Sequence, residues 1–255
     1  MFRNLRSYYL TAVSDLKYQG VEVLLWRIIV KLLSPVLRLD LQILFDYDLH
    51  QPRPQREPKI PITIEQATES DIDDIIDMQM QALTPEQAAQ LTDAEELQYA
   101  QLLRVRATAL DMYRRGMRAR ECCFVARADG AVVHSNWSIF HDCGPMEGRP
   151  VELDPGDVYT TDGHTAEAFR GLGIHEAVLK HMMKYAEQRG CHTGYTITDL
   201  TKAGSRRGVQ RVGWRRRGTI MYVSLRGLKR TWLVRVGGDI EPMFARARAS
   251  VALEP

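Results

Sequence analysis

Cysteine is scarce in this chain: Cys122, Cys123, Cys143 and Cys191 are the only four among 255 residues, and no two stand in C-x-x-C spacing. That spacing argues against a disulfide framework and against a thiolate zinc site, so reduced, buried thiols and no bound metal are the expectation. Also missing is an apolar run of the ~18–20 residues that a membrane-spanning helix needs. No secretory signal is read ahead of the cysteines, and the expected setting is cytoplasmic. Charge of one sign is missing in two places. From Ile60 to Leu103 there are ten acidic residues and no lysine or arginine, whereas from Lys202 to Arg235 there are eleven lysines and arginines and no acid. In a chain of net charge +2, that asymmetry implies that the two regions meet different partners. The basic stretch, Arg206-Arg207 to Arg215-Arg216-Arg217, carries neither interleaved aromatics nor a recognition-helix motif. A solvated surface, or help with the phosphates of a coenzyme, is therefore expected ahead of nucleic-acid binding.

What is present, 45% hydrophobic and 26% charged residues, suits one large globular domain with an extension. Residues 1–50 read as a helical N-terminal extension in at least two pieces, broken at Gly20 and Pro35. Within it, Val21 to Leu33 is strongly apolar, with Arg27 and Lys31 four apart and so on one face. One reading is an interfacial helix that makes peripheral membrane contact through residues 20–45, snorkelling Arg27, Lys31 and Arg38 toward anionic headgroups. The other, commoner for such helices, is packing on the main domain or in a homodimer. Residues 51–61 hold four prolines and form an extended connector, the clearest domain boundary. A main domain over 62–236 and a tail over 237–255 follow.

Ile62 to Ala67 alternates as a strand does, and Thr68-Glu69-Ser70-Asp71 supplies capping residues before the helically spaced Ile72, Ile75, Ile76 and Met80. A second helix is expected from Pro85 to about Arg115. Cys122–Arg127 and Ala131–Phe140 flank Ala128-Asp129-Gly130, a strong hairpin signal. A loop should span His141 to Pro155, and strands are expected at Asp157–Thr165, Thr193–Thr198, Gly218–Leu225 and Trp232–Val236. The most informative stretch is Arg170-Gly171-Leu172-Gly173-Ile174-His175, where a glycine turn runs into an amphipathic helix carrying Val178, Leu179, Met182, Met183 and Ala186. Glycines let backbone N–H groups converge, and a helix N-terminus presents free donors and a positive dipole end, the physical recipe for holding a pyrophosphate.

This stretch resembles the pyrophosphate loop of the GNAT superfamily of acyl-CoA-dependent N-acetyltransferases, Arg/Gln-x-x-Gly-x-Gly/Ala between a strand and a helix. The resemblance extends over roughly Ile62 to Leu225. It takes in the strand before the loop, with Gly163 as a bulge, the strand after it, and Val209 to Arg215 as the short helix and Gly-aromatic turn that follow. The implied fold is α/β, a mixed, mostly antiparallel sheet flanked by helices. The implied activity is transfer of an acyl group from acetyl-CoA or another acyl-CoA to a primary amine, with a small-molecule acceptor, an amino sugar of a surface-glycan pathway among the candidates. A non-catalytic coenzyme sensor or scaffold is the alternative. The implied cofactor-binding residues are Thr165, Arg170, Gly171, Leu172, Gly173, Ile174 and His175, although His175 stands where the family usually has Gly or Ala and adds bulk beside the pyrophosphate. Asp162 and His164 are the candidate general bases. Lys202 and Val209 occupy the positions of the family's frequent asparagine and tyrosine acid, which leaves Ser205 as a candidate near the sulfur and Tyr159 and Tyr195 as looser ones.

Overall fold

A computed structural model of the chain describes residues 21–51, 57–80, 110–111, 114–116, 122–140, 153–225 and 231–238. Eight strands form one sheet: β1 (Leu37–Asp48), β2 (Thr63–Gln66), β3 (Cys122–Ala128), β4 (Ala131–Phe140), β5 (Asp157–Thr165), β6 (Thr193–Asp199), β7 (Arg215–Leu225) and β8 (Thr231–Gly238). Their spatial order is β2-β3-β4-β5-β6-β1-β7-β8. Every pairing is antiparallel except β5 with β6. The described helices are α1 (Val21–Leu33), α2 (Ile72–Met80), α3 (Ile174–Gln188) and α4 (Ala203–Arg211). The architecture is thus the mixed, mostly antiparallel α/β sheet that the sequence implies.

Strand alternation sorts the helices onto two faces. On β3, Cys122, Phe124 and Ala126 join the larger core with Ile174, Val178, Met182 and Met183 of α3, Val209 of α4 and Val23 of α1. The intervening Cys123 and Val125 join Ile72, Ile75 and Ile76 of α2 on the other face. The β3–β4 turn falls where Asp129-Gly130 predicts it, with φ of 49° and 83°, the left-handed pair that a two-residue hairpin needs. The capping box expected before α2 is present: Thr68 N–H donates to Asp71 Oδ2 at 2.7 Å. Asp71 and Glu65 also hold Arg127, each at 2.6 Å.

Two expectations need correcting. Residues 37–48, read as part of a helical extension, form β1, which lies inside the sheet between β6 and β7. The reason is visible in the chain: Leu37, Leu39, Leu41, Ile43, Phe45 and Tyr47 alternate, and two flanking strands satisfy the backbone of β1 on both sides. In consequence the proline-rich connector does not separate this part of the extension from the main domain, because strands before and after it share one sheet. The second correction is smaller. The short helix expected from Val209 begins at Ala203 and ends at Arg211, with Gly213 turning at φ 100° into β7.

The arginines of the basic stretch are largely engaged. Arg217 pairs with Asp46 at 3.1 Å, Arg215 donates to Gln51 at 2.9 Å, Arg216 to Thr219 at 2.8 Å and Arg211 to Glu176 at 3.4 Å. Their charge therefore helps to fasten β7 to β1 and α4 to α3. The sequence readings for residues 1–20, the tail from Glu241, Cys143, most of the helix from Pro85 and of the loop from His141 lie outside the described residues; Leu110, Asp111 and 114–116 are helical.

Candidate functional site

The site is built around a fork in the sheet. β5 and β6 run parallel and stay in register from Asp157 opposite Thr193 to Thr160 opposite Thr196. Beyond that point each strand follows its other neighbour. Thr161, His164 and Thr165 pair only with β4, while Ile197, Thr198 and Asp199 pair only with β1. The backbone of Thr161 to Thr165 on its β6 side is thereby left without a strand partner. The second arm stays paired with β1 throughout.

A bulge lies on the open arm. Trp137 faces Thr161 and Ser135 faces His164, so Asp162 and Gly163 together oppose Asn136, and Asp162 takes the left-handed φ of 54°. Gly163 is the expected bulge glycine, and space explains it. A Cβ there would stand 2.9 Å from Asn136 Nδ2 and 3.1 Å from His175 Cε1. These contacts direct the Gly163 position toward α3. Asp162 faces the α2 side, where its charge and, first, burial push the Cys123 thiol up and leave that cysteine a poor nucleophile. His164 is partly buried, and its pKa is lowered by burial first, then by Arg170 and Lys202, with Asp162 acting in the opposite sense. Its imidazole is neutral at pH 7 and can accept a proton. Its Nε2 has no hydrogen-bond partner among the described residues.

After β5 a single 3-10 turn, Glu167–Phe169, leads to Arg170, whose Nε–H donates to Thr165 O at 3.2 Å. Gly171 and Gly173 have φ of 78° and 82°, which only glycine adopts without strain. Gly173 is the N-cap of α3, and the helical ladder starts with Ala177 N–H to Gly173 O at 3.1 Å. The N–H groups of Ile174, His175 and Glu176 precede that bond and have no helical acceptor, which makes this end an anion site. A Cβ on Gly171 would meet nothing within 4 Å, so the loop is open on that side. The residues fit a pyrophosphate: free donors, a helix dipole and one cation.

Sequence reasoning missed what borders the other side. Lys59 N–H donates to Leu172 O at 2.8 Å, and Pro58 Cα lies 3.5 Å from where a Gly173 Cβ would be. The end of the proline-rich connector is therefore a wall of the loop. Beyond it, Glu57, Pro58, Ile62, Ile64, Lys180 and Lys184 line most of a cavity of about 290 Å³. No local signal in the sequence couples residues so far apart.

His175 corrects a further expectation. Its ring does not crowd the loop but turns inward, where Gly208 lies so close that a Cβ there would be 3.1 Å from His175 Cδ2. The ring of His134 is 5.3 Å away, centroid to centroid. His134 Nδ1 is in turn 2.8 Å from Thr165 Oγ1, so the last residue of β5 is tied to β4 through its side chain. Burial lowers the pKa of both imidazoles; the charge of His175 adds to the effect on His134, and Glu176 opposes it on His175. The Nε2 atoms of both and Asn136 Oδ1 have no hydrogen-bond partner among the described residues. A signal for this group was available, since His134, Asn136 and Ser138 put polar residues at every second position of an inward strand face.

The remaining candidates separate. Ile174 is a core residue, 1% exposed, so only its backbone can serve the loop. Ser205 lies in the first turn of α4 and makes no side-chain hydrogen bond to Asp162 or His164 among the described residues. Val209 is buried. Tyr159 and Tyr195 face each other one register before the last pair ahead of the fork, and burial pushes the Tyr195 pKa up to about 12, so it keeps its proton at neutral pH. On the α2 side, Gln79 donates to Ser135 at 3.1 Å beside His164, and the exposed Asp73 and Asp74 lie on the same helix.

No protein-family model and no curated protein matches the sequence. Solved structures do resemble it. A GNAT-family acetyltransferase from Colwellia psychrerythraea aligns at TM-score 0.49 and 12% identity over 74% of this chain and 56% of its own. A GCN5-related N-acetyltransferase from Sphaerobacter thermophilus aligns at 0.48 and 15%, over 77% of this chain and 56% of its own. A predicted acetyltransferase with acetyl-CoA from Clostridium acetobutylicum aligns at 0.41 and 13%, over 61% and 90%. The chain thus spans little more than half the length of the first two.

Proposed function

We propose that the protein is an acyl-CoA-dependent N-acyltransferase acting on a primary amine. The observation that carries this reading is the fork between β5 and β6 opening beside a glycine loop that caps α3. The first opens one edge of a strand backbone, the second offers an anion site, and the coenzyme thioester needs both. The sequence resemblance of the loop and its flanking strands supports the same reading.

The chemistry follows from the residues. Backbone N–H groups of the arm of β5 that diverges from β6 polarise the thioester carbonyl. Neutral His164, or Asp162 next to it, takes the proton from the attacking amine, directly or through water. A C–N bond forms, the C–S bond breaks, and the thiolate takes a proton from solvent or from Lys202 or Ser205. The acids of α2 attract a cationic acceptor on the face where Asp162 lies. Amino sugars head the acceptors to try.

A second reading has its own observation. Lys202 and Val209, the latter buried, stand where the family's asparagine and tyrosine acid would be. A protein that binds the coenzyme without turning it over would show that pattern. Following thiol release from acetyl-CoA across amino sugars, amino acids and polyamines separates the two. Amine-dependent release supports the enzyme, and coenzyme binding without release from any amine favours the sensor.

A further inference from the structure

Among the residues whose side chains are described, the large hydrophobic ones that are exposed all fall between Val21 and Val36. Val21, Leu25, Ile28, Ile29 and Leu32 follow one another at helical spacing and so share one face of α1, with Leu32 reaching 73% exposure. Val36, 60% exposed, continues it beyond the helix. The opposite face is fixed: Val23 is completely buried in the main core and Trp26 packs against that core. Directly after the three-residue turn that follows the helix, the chain enters β1, inside the sheet. A helix anchored in the core therefore presents an exposed apolar stripe among the described residues, a feature that marks an interaction surface.

The rim of the stripe names the occupant. Lys31 borders one edge of the apolar arc with Arg27 one turn before it, nearer the core-facing side, and the helix carries a single acid, Glu22, at its start. Long basic side chains at the edge of an apolar face can lay their stems on it and raise their charges toward anionic headgroups. A second copy of the chain fits less well. Two such helices packed antiparallel through this face bring the same rims together, and Arg27 and Lys31 would meet their own like charges. Nor can α1 cross a bilayer. Its 13 residues span ~20 Å, short of the ~30 Å hydrocarbon core, and no helix among the described residues is long and apolar enough.

We propose that the exposed face of α1 docks in the plane of an anionic lipid surface, holding the domain against the membrane. The inference is independent of the acyltransferase reading. Sedimentation of the full chain with vesicles of phosphatidylcholine alone, or with a third phosphatidylglycerol, tests it. The expected result is binding to the anionic vesicles, at least tenfold weaker binding to the neutral ones, and loss of binding with rising salt. The double variant Leu25→Asp/Leu32→Asp should lower anionic-vesicle binding at least tenfold, with the thermal unfolding transition unchanged because both positions are exposed. Arg27→Gln/Lys31→Gln should remove the preference for anionic lipid, and stands as the test if the first variant folds poorly. Absence of vesicle binding by the wild-type chain overturns the proposal. So does a wild-type dimer in analytical ultracentrifugation that Leu25→Asp/Leu32→Asp turns into a monomer, since the face would then belong to a second copy.

Discussion

The two halves of β5 differ in almost everything except their strand conformation. Val158 to Thr160 is flanked by β4 and β6 and buried, whereas Thr161 to Thr165 has β4 alone, bulges at Asp162-Gly163 and is partly exposed. The first half is a structural beam. The second is held in place by side chains, Thr165 by His134 and Gly163 by the fit of Asn136 and His175 against it. Such division lets one strand anchor a site and also leave its own backbone donors available.

A charge placed in each half should give the widest separation. Val158→Asp buries an uncompensated carboxylate in the core and is expected to cost ~4 kcal/mol or more or to prevent folding, while His164→Asp should stay within about 0.5 kcal/mol of wild type, by urea denaturation. Equal costs would erase the distinction between the halves. Next in size is Gly163→Ala, which overpacks the bulge and should destabilise by ~1–3 kcal/mol. The added methyl presses on His175, so His175→Ala should recover part of the loss, and strict additivity in the double-mutant cycle would show that the ring is not the obstacle.

The buried imidazoles make the open half sensitive to acid. For His134 and His175 the folded-state pKa lies below the ordinary 6.5. Above pH 6.5 both states are neutral and stability is undiminished. Below it the unfolded chain takes up protons that the folded one refuses, and stability falls as pH drops toward the folded values, by up to ~1.4 kcal/mol per pH unit for each group. His134→Gln should flatten that slope in denaturation curves between pH 6.5 and 5, and an unchanged slope would exclude His134 from it. The smallest effect on the fold is expected from Arg170→Ala, which removes an exposed guanidinium bonded to Thr165 O. Its unfolding midpoint should match wild type while coenzyme binding weakens about tenfold, the worth of one charge-assisted contact.

The parts of the molecule that could be read from the chain are those with local causes. The strand Asp157–Thr165, the left-handed glycines of the loop and the apolar spacing of α3 are each specified within a few residues. β1 had a local signal too, the alternation from Leu37 to Tyr47, but the apolar helix just before it and Pro35 suggested a continued helical extension. What could not be read is contact between distant segments: Lys59 against Leu172, His175 between Gly163 and Gly208, and β1 pairing along the whole of β6. Each depends on packing that no single stretch encodes.

Calorimetric titration of acetyl-CoA into the full chain tests the central claim most directly, with Gly171→Asp as the comparison. That position is open and aspartate tolerates a left-handed backbone better than most residues, so the variant should fold while its carboxylate repels the phosphates. Saturable one-site binding by the wild-type protein, lost or at least tenfold weaker in Gly171→Asp, is the predicted result. A folded wild-type protein that binds no acetyl-CoA, or a variant that binds it equally well, would contradict the assignment of this loop.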